Sequence, residues 1–363
     1  MYNYKVYFLR LFGLEYFLLN NKRGINKMKF NAKTFAAFIL SSFLMISSFS
    51  SASADRMTRA VADWTGGMVT CEVAEQILEQ ELGYKIDSIV FPSGTGLWEA
   101  VADGSDIQFA CESWPSYAEA DEVMINQDLI YDGKVVKSDY NGDGSIEAYT
   151  TGIIGSSDYF VPKYFVDANP DFKDWTDLNK YKDQFATPET GSKGRLIGCA
   201  VAGWNCHDQK RLDLLGIDFE AVELGTEVAA LAEAQAAYAR KEPFLLYFWT
   251  PHWFQGAFEM VGVKLPEWKA CDKFTEANNW EDCGTAAWPA TGWDKDYTIN
   301  YMNPAVFAKP ENAAAKAFFQ KMNLSNDDQA VMINEIDKNG RDIVEVVQEW
   351  KDNNKDQWSK WLP

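Results

Sequence analysis

The run Phe244-Leu245-Leu246-Tyr247-Phe248-Trp249 is apolar and aromatic, with strand character. Thr250-Pro251 then stops it, because proline has no N–H to give a ladder. Trp249 is therefore expected where a buried strand opens into a loop, the place where open α/β sheets bind ligands. One such tryptophan alone reads as core packing beside a turn. The same arrangement recurs at Cys111-Glu112-Ser113-Trp114-Pro115 and at Gly203-Trp204-Asn205-Cys206. Three indoles at three loop openings can wall one box. Such a box holds a cation without a formal counter-charge, since the ring faces are electronegative.

The elements that must carry these loops read as an α/β chain. A strand near Ala60–Asp63 precedes an amphipathic helix over Thr70 to Leu82. Strands at Lys85 to Phe91 and Ile107 to Ala110 flank a helix from Gly96 to Asp103. That βαβαβ order implies a parallel sheet covered by helices. Thr151-Gly152-Ile153-Ile154-Gly155 starts a second α/β block. It contains a strand at Leu196 to Ala200, a helix at Cys206 to Leu215, an Ala-rich helix at Glu227 to Arg240, and the Trp249 strand. The tail from Asn312 to Trp361 is helical and is expected to fold back on the first block. The resulting division is a leader at 1–54, a first lobe beginning at 55–150, a second lobe at 151–285, and a return to the first lobe at 286–363.

Composition narrows the partners. The 363-residue chain carries net charge −19, which argues against nucleic acid, whose phosphates need clustered Lys and Arg. With 14 Trp, 16 Tyr and 23 Phe it has aromatic rings to spare for recognition. Met28 to Lys33 is basic, Phe35 to Phe49 is apolar, and Ala52-Ser53-Ala54 is a small-residue cleavage pattern, so the mature chain is expected to begin at Asp55. Residues 1–27 read as an upstream mis-start before Met28 or as a longer leader. The apolar stretch is shorter than the ~18–20 residues of a spanning helix, so the reading is export to the periplasm as a soluble, monomeric protein.

All six cysteines follow the leader, and an even count in an exported chain favours disulfides. Cys199 with Cys206 closes a short loop around Trp204. Cys271 with Cys283 is similarly local, leaving Cys71 with Cys111. Zinc is disfavoured, because there is no C-x-x-C pair and the only histidines are His207 and His252. No cofactor is required, with one qualification. Asp139, Asn141 and Asp143 stand at alternate positions before Gly144, like the first half of an EF-hand loop, but Thr150 occupies the twelfth position where a bidentate Glu is expected. That loop reads as a structural calcium site or as a plain Asx/Gly turn.

With Trp114, Trp204 and Trp249 in place, nearly the whole mature chain resembles the substrate-binding proteins of ABC importers for glycine betaine, proline betaine and choline. The specific pieces are Gly198-Cys199 through Gly203-Trp204-Asn205-Cys206, Tyr247-Phe248-Trp249-Thr250-Pro251-His252-Trp253, Arg240-Lys241-Glu242-Pro243 and the Trp114-Pro115 loop. The resemblance implies a two-lobed periplasmic-binding-protein fold of type II, in which each lobe is a mostly parallel sheet flanked by helices and two crossovers form the hinge. It implies three tryptophans around a quaternary ammonium head, an ABC permease as partner, and no enzymatic activity. Trp64, at an early strand end, and Glu112, beside the first wall, resemble the trimethylamine N-oxide branch, where a fourth aromatic wall and a carboxylate meet a small ligand. Trp293 reads as a further wall or as hinge packing, and Trp253 as packing. The rival reading is an exported enzyme acting on choline-type substrates. Against it stand the absence of any Gly-x-Ser-x-Gly pattern and the shortage of histidine bases; His252 reads as packing or rim.

Overall fold

One strand of 17 residues, β4 (Ile146–Pro162), runs through the middle of the main sheet. The computed structural model describes residues 56–114, 144–269 and 281–363, with short strands at Leu9–Leu11, Leu14–Tyr16, Val123–Ile125, Asp128–Tyr131 and Lys134–Lys137. The chain divides into two compact units, Met1–Ala52 and Ser53–Pro363. In the first, Leu9–Leu11 and Leu14–Tyr16 pair antiparallel. Everything below concerns the second.

Its chain order is β1 (Arg56–Val61), α1 (Thr65–Gln80), β2 (Lys85–Val90), α2 (Thr95–Asp103), β3 (Phe109–Ser113) and then β4. Next come α3 (Leu178–Phe185), β5 (Gly194–Ile197), α4 (Asp208–Leu214), β6 (Phe219–Val222), α5 (Glu227–Arg240), β7 (Leu245–Thr250) and β8 (Met260–Gly262). The return is β9 (Asp296–Met302), followed by α6 (Ala313–Lys321), α7 (Asn326–Ile333) and α8 (Ile343–Asn353).

The strand order is β6-β5-β7-β4-β9-β3-β1-β2, with β8 also on β4. Each end of the sheet is parallel, β1 beside β2 and β3, and β5 beside β6 and β7. The centre is antiparallel, because β4 pairs in that sense with β7, β8 and β9. The first half of β4 faces β9 and the second half faces β7, so one strand serves both halves of the sheet. The sheet is thus mixed, with parallel βαβ units confined to its two flanks, where helices supply the crossovers.

The tail helices pack against α1. Gln329 donates to the Gly66 carbonyl and the Thr70 hydroxyl at 3.1 and 3.0 Å, and Lys351 donates to Gln80 and Glu81 at 2.7 and 2.6 Å. Gly152 takes φ +97° where the Leu324 backbone lies against β4, a backbone angle and a closeness that a Cβ would not tolerate. Cys71–Cys111 and Cys199–Cys206 are bonded, with Cα separations of 5.2 and 6.0 Å. Cys271, Asp139, Asn141 and Asp143 lie outside the described residues, as does the side chain of Cys283, so the third disulfide and the calcium loop are not described.

Candidate functional site

Each expected wall sits at the end of an element. Trp64 is the N-cap residue of α1, three positions beyond β1. Gly67 makes room for it, since a Cβ there would lie 2.7 Å from the indole. Trp114 follows directly on β3 and lies against Gly155 of β4, where a side chain would collide with the ring. Trp204 closes a single 3-10 turn, Ala202–Trp204, within the Cys199–Cys206 loop. Trp249 is the penultimate residue of β7 and stacks on Phe248 at 4.6 Å.

Three of these rings form a chain of edge contacts. Trp64 and Trp204 lie 6.0 Å apart between centroids at 78°, and Trp204 and Trp249 lie 5.4 Å apart at 84°. The fourth joins through a carboxylate. The Trp64 and Trp114 indole N–H groups both donate to Glu112 Oε1, at 3.3 and 3.4 Å. Both contacts are edge-to-face, the arrangement that ring quadrupoles favour over a face-to-face sandwich.

Glu112 lies at the base of this arrangement and is 1% exposed, with φ 52°. Its other oxygen accepts from the Thr70 hydroxyl and the Gln329 amide. Burial pushes its pKa up to about 6, against the hydrogen bonds from Thr70, Trp64, Trp114 and Gln329, which favour the anion. All four donors are neutral, and among the described residues no Lys, Arg or His pairs with it. Asp63 adds a second carboxylate, accepting from the Trp204 indole at 3.1 Å and the Ser93 hydroxyl at 2.6 Å. Around Trp204 the two halves of the sheet come into backbone contact. A Cβ on Gly203 would lie 2.7 Å from the Ser93 carbonyl, and one on Gly94 (φ +116°) would lie 2.7 Å from the Gly203 carbonyl.

Trp293 stands elsewhere. Its ring meets Tyr159, Tyr247 and Trp288 at 5.3, 5.3 and 5.9 Å, and the Arg211 guanidinium lies 3.6 Å from its centroid. No ring contact joins it to Trp64 or Trp204 among the described residues. Its contacts are with Arg211 and this second group of rings.

One cluster has no counterpart in the sequence reading. Glu227, His252 and Asp337 bring their ligand-type atoms within 4.8 Å of one another. His252 Nε2 lies 3.1 Å from Glu227 and 3.5 Å from Asp337. Burial lowers the His252 pKa, but the two carboxylates outweigh it and leave the group raised. Sequence separations of 25 and 85 residues gave no signal that these three would meet, beyond His252 lying next to the Trp249 strand.

The sheet is thus mixed α/β in two helix-flanked halves, with indoles and a buried acid where the halves meet. Residues 55–353 match the family model described as the substrate-binding domain of ABC-type glycine betaine transport systems, and the chain belongs to that family. The fold is similar to that of the glycine betaine/L-proline-binding protein ProX from Borrelia burgdorferi, with TM-score 0.60 and 14% identity over 85% of this chain and 97% of that one. It is also similar to a choline-binding protein in complex with choline (TM-score 0.59, 15% identity, 85% and 92% covered). A third likeness is to lactococcal OpuAC in its closed form with glycine betaine (TM-score 0.59, 14% identity, 85% and 100% covered). The architecture is thus the type II periplasmic-binding-protein fold. Membership of a family of transport binding proteins does not favour an enzyme acting on choline-type substrates. No helix among the described residues is long and apolar enough to cross a membrane.

Proposed function

We propose that this chain is the extracytoplasmic binding component that captures a small methylated onium osmolyte, trimethylamine N-oxide or glycine betaine, and delivers it to an ABC permease. Trp64, Trp114, Trp204 and Trp249 are the walls and Glu112 is the acid beneath them. The observation that carries the reading is Glu112, a buried carboxylate that receives two of the four indole N–H groups and no protein cation among the described residues. A methylated ammonium has no N–H, so ordinary acceptors hold it poorly. Ring faces hold it at roughly 0.5–2 kcal/mol each. A buried anion behind those faces adds attraction that water does not screen. The family description and the glycine betaine and choline named for similar structures support the same ligand class.

The lobes of this reading are 55–150 with 286–363, and 151–285, crossing at β4 and before β9. Export on the 1–54 leader and a monomeric state complete it, and the loop at Asp139, Asn141 and Asp143 stays open between a structural calcium site and a plain Asx/Gly turn. Calorimetric titration with trimethylamine N-oxide, glycine betaine, choline and dimethylsulfoniopropionate tests it. At least one should bind and be recovered unchanged. Binding of none, or conversion of choline to product, would refute it.

A further inference from the structure

Helix α1 begins without the residue its first turn calls for. Its N-cap is Trp64, whose side chain makes no capping bond, and its first turn contains no acid. The first N–H groups of a 16-residue helix carry partial positive charge and need an acceptor. The acceptor comes from the far half of the sheet. Glu227, the first residue of α5, accepts from the Thr65 N–H at 2.9 Å through Oε2. Its Oε1 lies 3.1 Å from His252 Nε2. Asp337 arrives from α1's side, on a single π-helical turn, Asn334–Lys338, that continues α7. It accepts from the Thr65 hydroxyl at 2.8 Å and from the Trp253 indole at 3.2 Å. Thr65 and Asp337 from one half and Glu227, His252 and Trp253 from the other therefore share one set of hydrogen bonds, with Glu227 4% and His252 7% exposed.

Two acids and a histidine in this array resemble a metal site, but the ring's proton argues otherwise. The Phe254 N–H donates to His252 Nδ1 at 3.1 Å. Nδ1 is therefore unprotonated, and the proton of the neutral ring sits on Nε2. A metal at Nε2 would need that proton on Nδ1, where it would face the Phe254 N–H. Nε2 donates to the carboxylates instead.

We propose that Glu227 is a detachable N-cap for α1 and that Glu227, His252 and Asp337 form a latch made only when the two halves meet, fixing the Trp64 wall. The proposal rests on the cage reading, because its consequence for binding runs through that wall. Thr65 follows Trp64 directly, and the His252 ring lies 5.8 Å from Trp249, so the latch sits behind one wall from each half. When the halves part, water takes over the Thr65 N–H and both carboxylates, and α1 loses its cap without unfolding. Glu227 and His252 are thus positioning residues, acting on the ligand through Trp64 and Trp249.

The test uses two variants that break the same bond from opposite sides. Glu227→Leu removes the acceptor. Thr65→Pro removes the donor and the hydroxyl while keeping the helix, since proline suits the first helical position and Trp64 already has extended backbone (φ −139°). Spin labels introduced as non-natural amino acids at Lys85 and Glu220, on the two edge strands, report the separation of the halves with and without about 10 mM trimethylamine N-oxide or glycine betaine. Both variants should shift the distribution to longer separations and weaken binding about five- to tenfold, mostly through faster release. The unfolding midpoint of the ligand-free protein should change little in Thr65→Pro. Unchanged separations in both variants would overturn the latch. So would stoichiometric Zn2+ binding by the wild type that is lost in His252→Gln. Should the wild type bind none of the methylated ligands, the cage reading fails while the label distances still decide the latch.

Discussion

Two aromatic clusters lie side by side in this molecule, and they use indole in opposite ways. In the first, Trp288, Trp293 and Tyr159 surround the Arg211 guanidinium at 4.7, 3.6 and 5.7 Å. Arg211 is fully buried and bonded to the Thr291 and Cys206 carbonyls and to Tyr159, with Asp208 at 3.5 Å. The chain supplies both cation and counter-ion, so those ring faces are occupied structurally. In the second, Trp64, Trp204 and Trp249 have no Lys or Arg over their faces among the described residues, and the buried charge is the acid Glu112. The same ring chemistry serves a buried guanidinium in one cluster and surrounds a buried carboxylate in the other. The proposed binding of a positive ligand rests on that difference.

The contrast can be broken at either cluster. The largest effect is expected from Arg211→Met, which leaves Asp208 buried without its cation and should cost about 3–5 kcal/mol of stability in urea unfolding. Next come Trp204→Ala and Trp249→Ala, each expected to weaken ligand binding at least about tenfold by calorimetry, with the fold retained. Trp293→Ala should do the reverse, lowering the unfolding midpoint more than the affinity.

Glu112 sharpens the comparison through pH. Its folded-state pKa of about 6 stands above the usual 4.5, so the folded protein binds this proton more tightly than the unfolded chain does. Its contribution to stability is therefore complete below 4.5 and is lost as pH rises through about 6, on the order of 2 kcal/mol. Affinity for choline, a permanent cation, should move the other way and rise across that window as the carboxylate forms. Glu112→Gln should flatten both profiles, measured by urea unfolding and calorimetry from pH 4 to 8 (a range of about two units on either side of the pKa). The smallest effect is expected from Gly203→Ala, whose Cβ would press on the Ser93 carbonyl and weaken binding severalfold by holding the halves apart.

Much of the candidate site was legible because its tryptophans obey local rules. Trp249 stands where proline ends an apolar strand, Trp204 lies inside a short cysteine-closed loop, and Trp114 follows a strand directly. Helix α5 matches its expected span, Glu227 to Arg240, because its Ala-rich composition and Thr226 cap are local signals. What depends on distant partners was not legible. The 17-residue β4 runs unbroken through the glycines and serines at 152–157, which read as a boundary, because its neighbours β7 and β9 lie far along the chain. Glu112 read as a carboxylate beside a wall; its burial comes from Thr70 and Gln329, contributed by α1 and α7. Glu227, His252 and Asp337 share no motif, and only the contact between halves brings them together.

In the proposed function the indoles bind charge and not merely methyl groups. The direct measurement is calorimetry of the wild-type protein with choline and with 3,3-dimethylbutan-1-ol, which replaces the ammonium nitrogen by carbon and keeps the shape. Choline should bind at least about tenfold more tightly, from ring faces and Glu112 acting on the cation. Equal affinities for the two would contradict it.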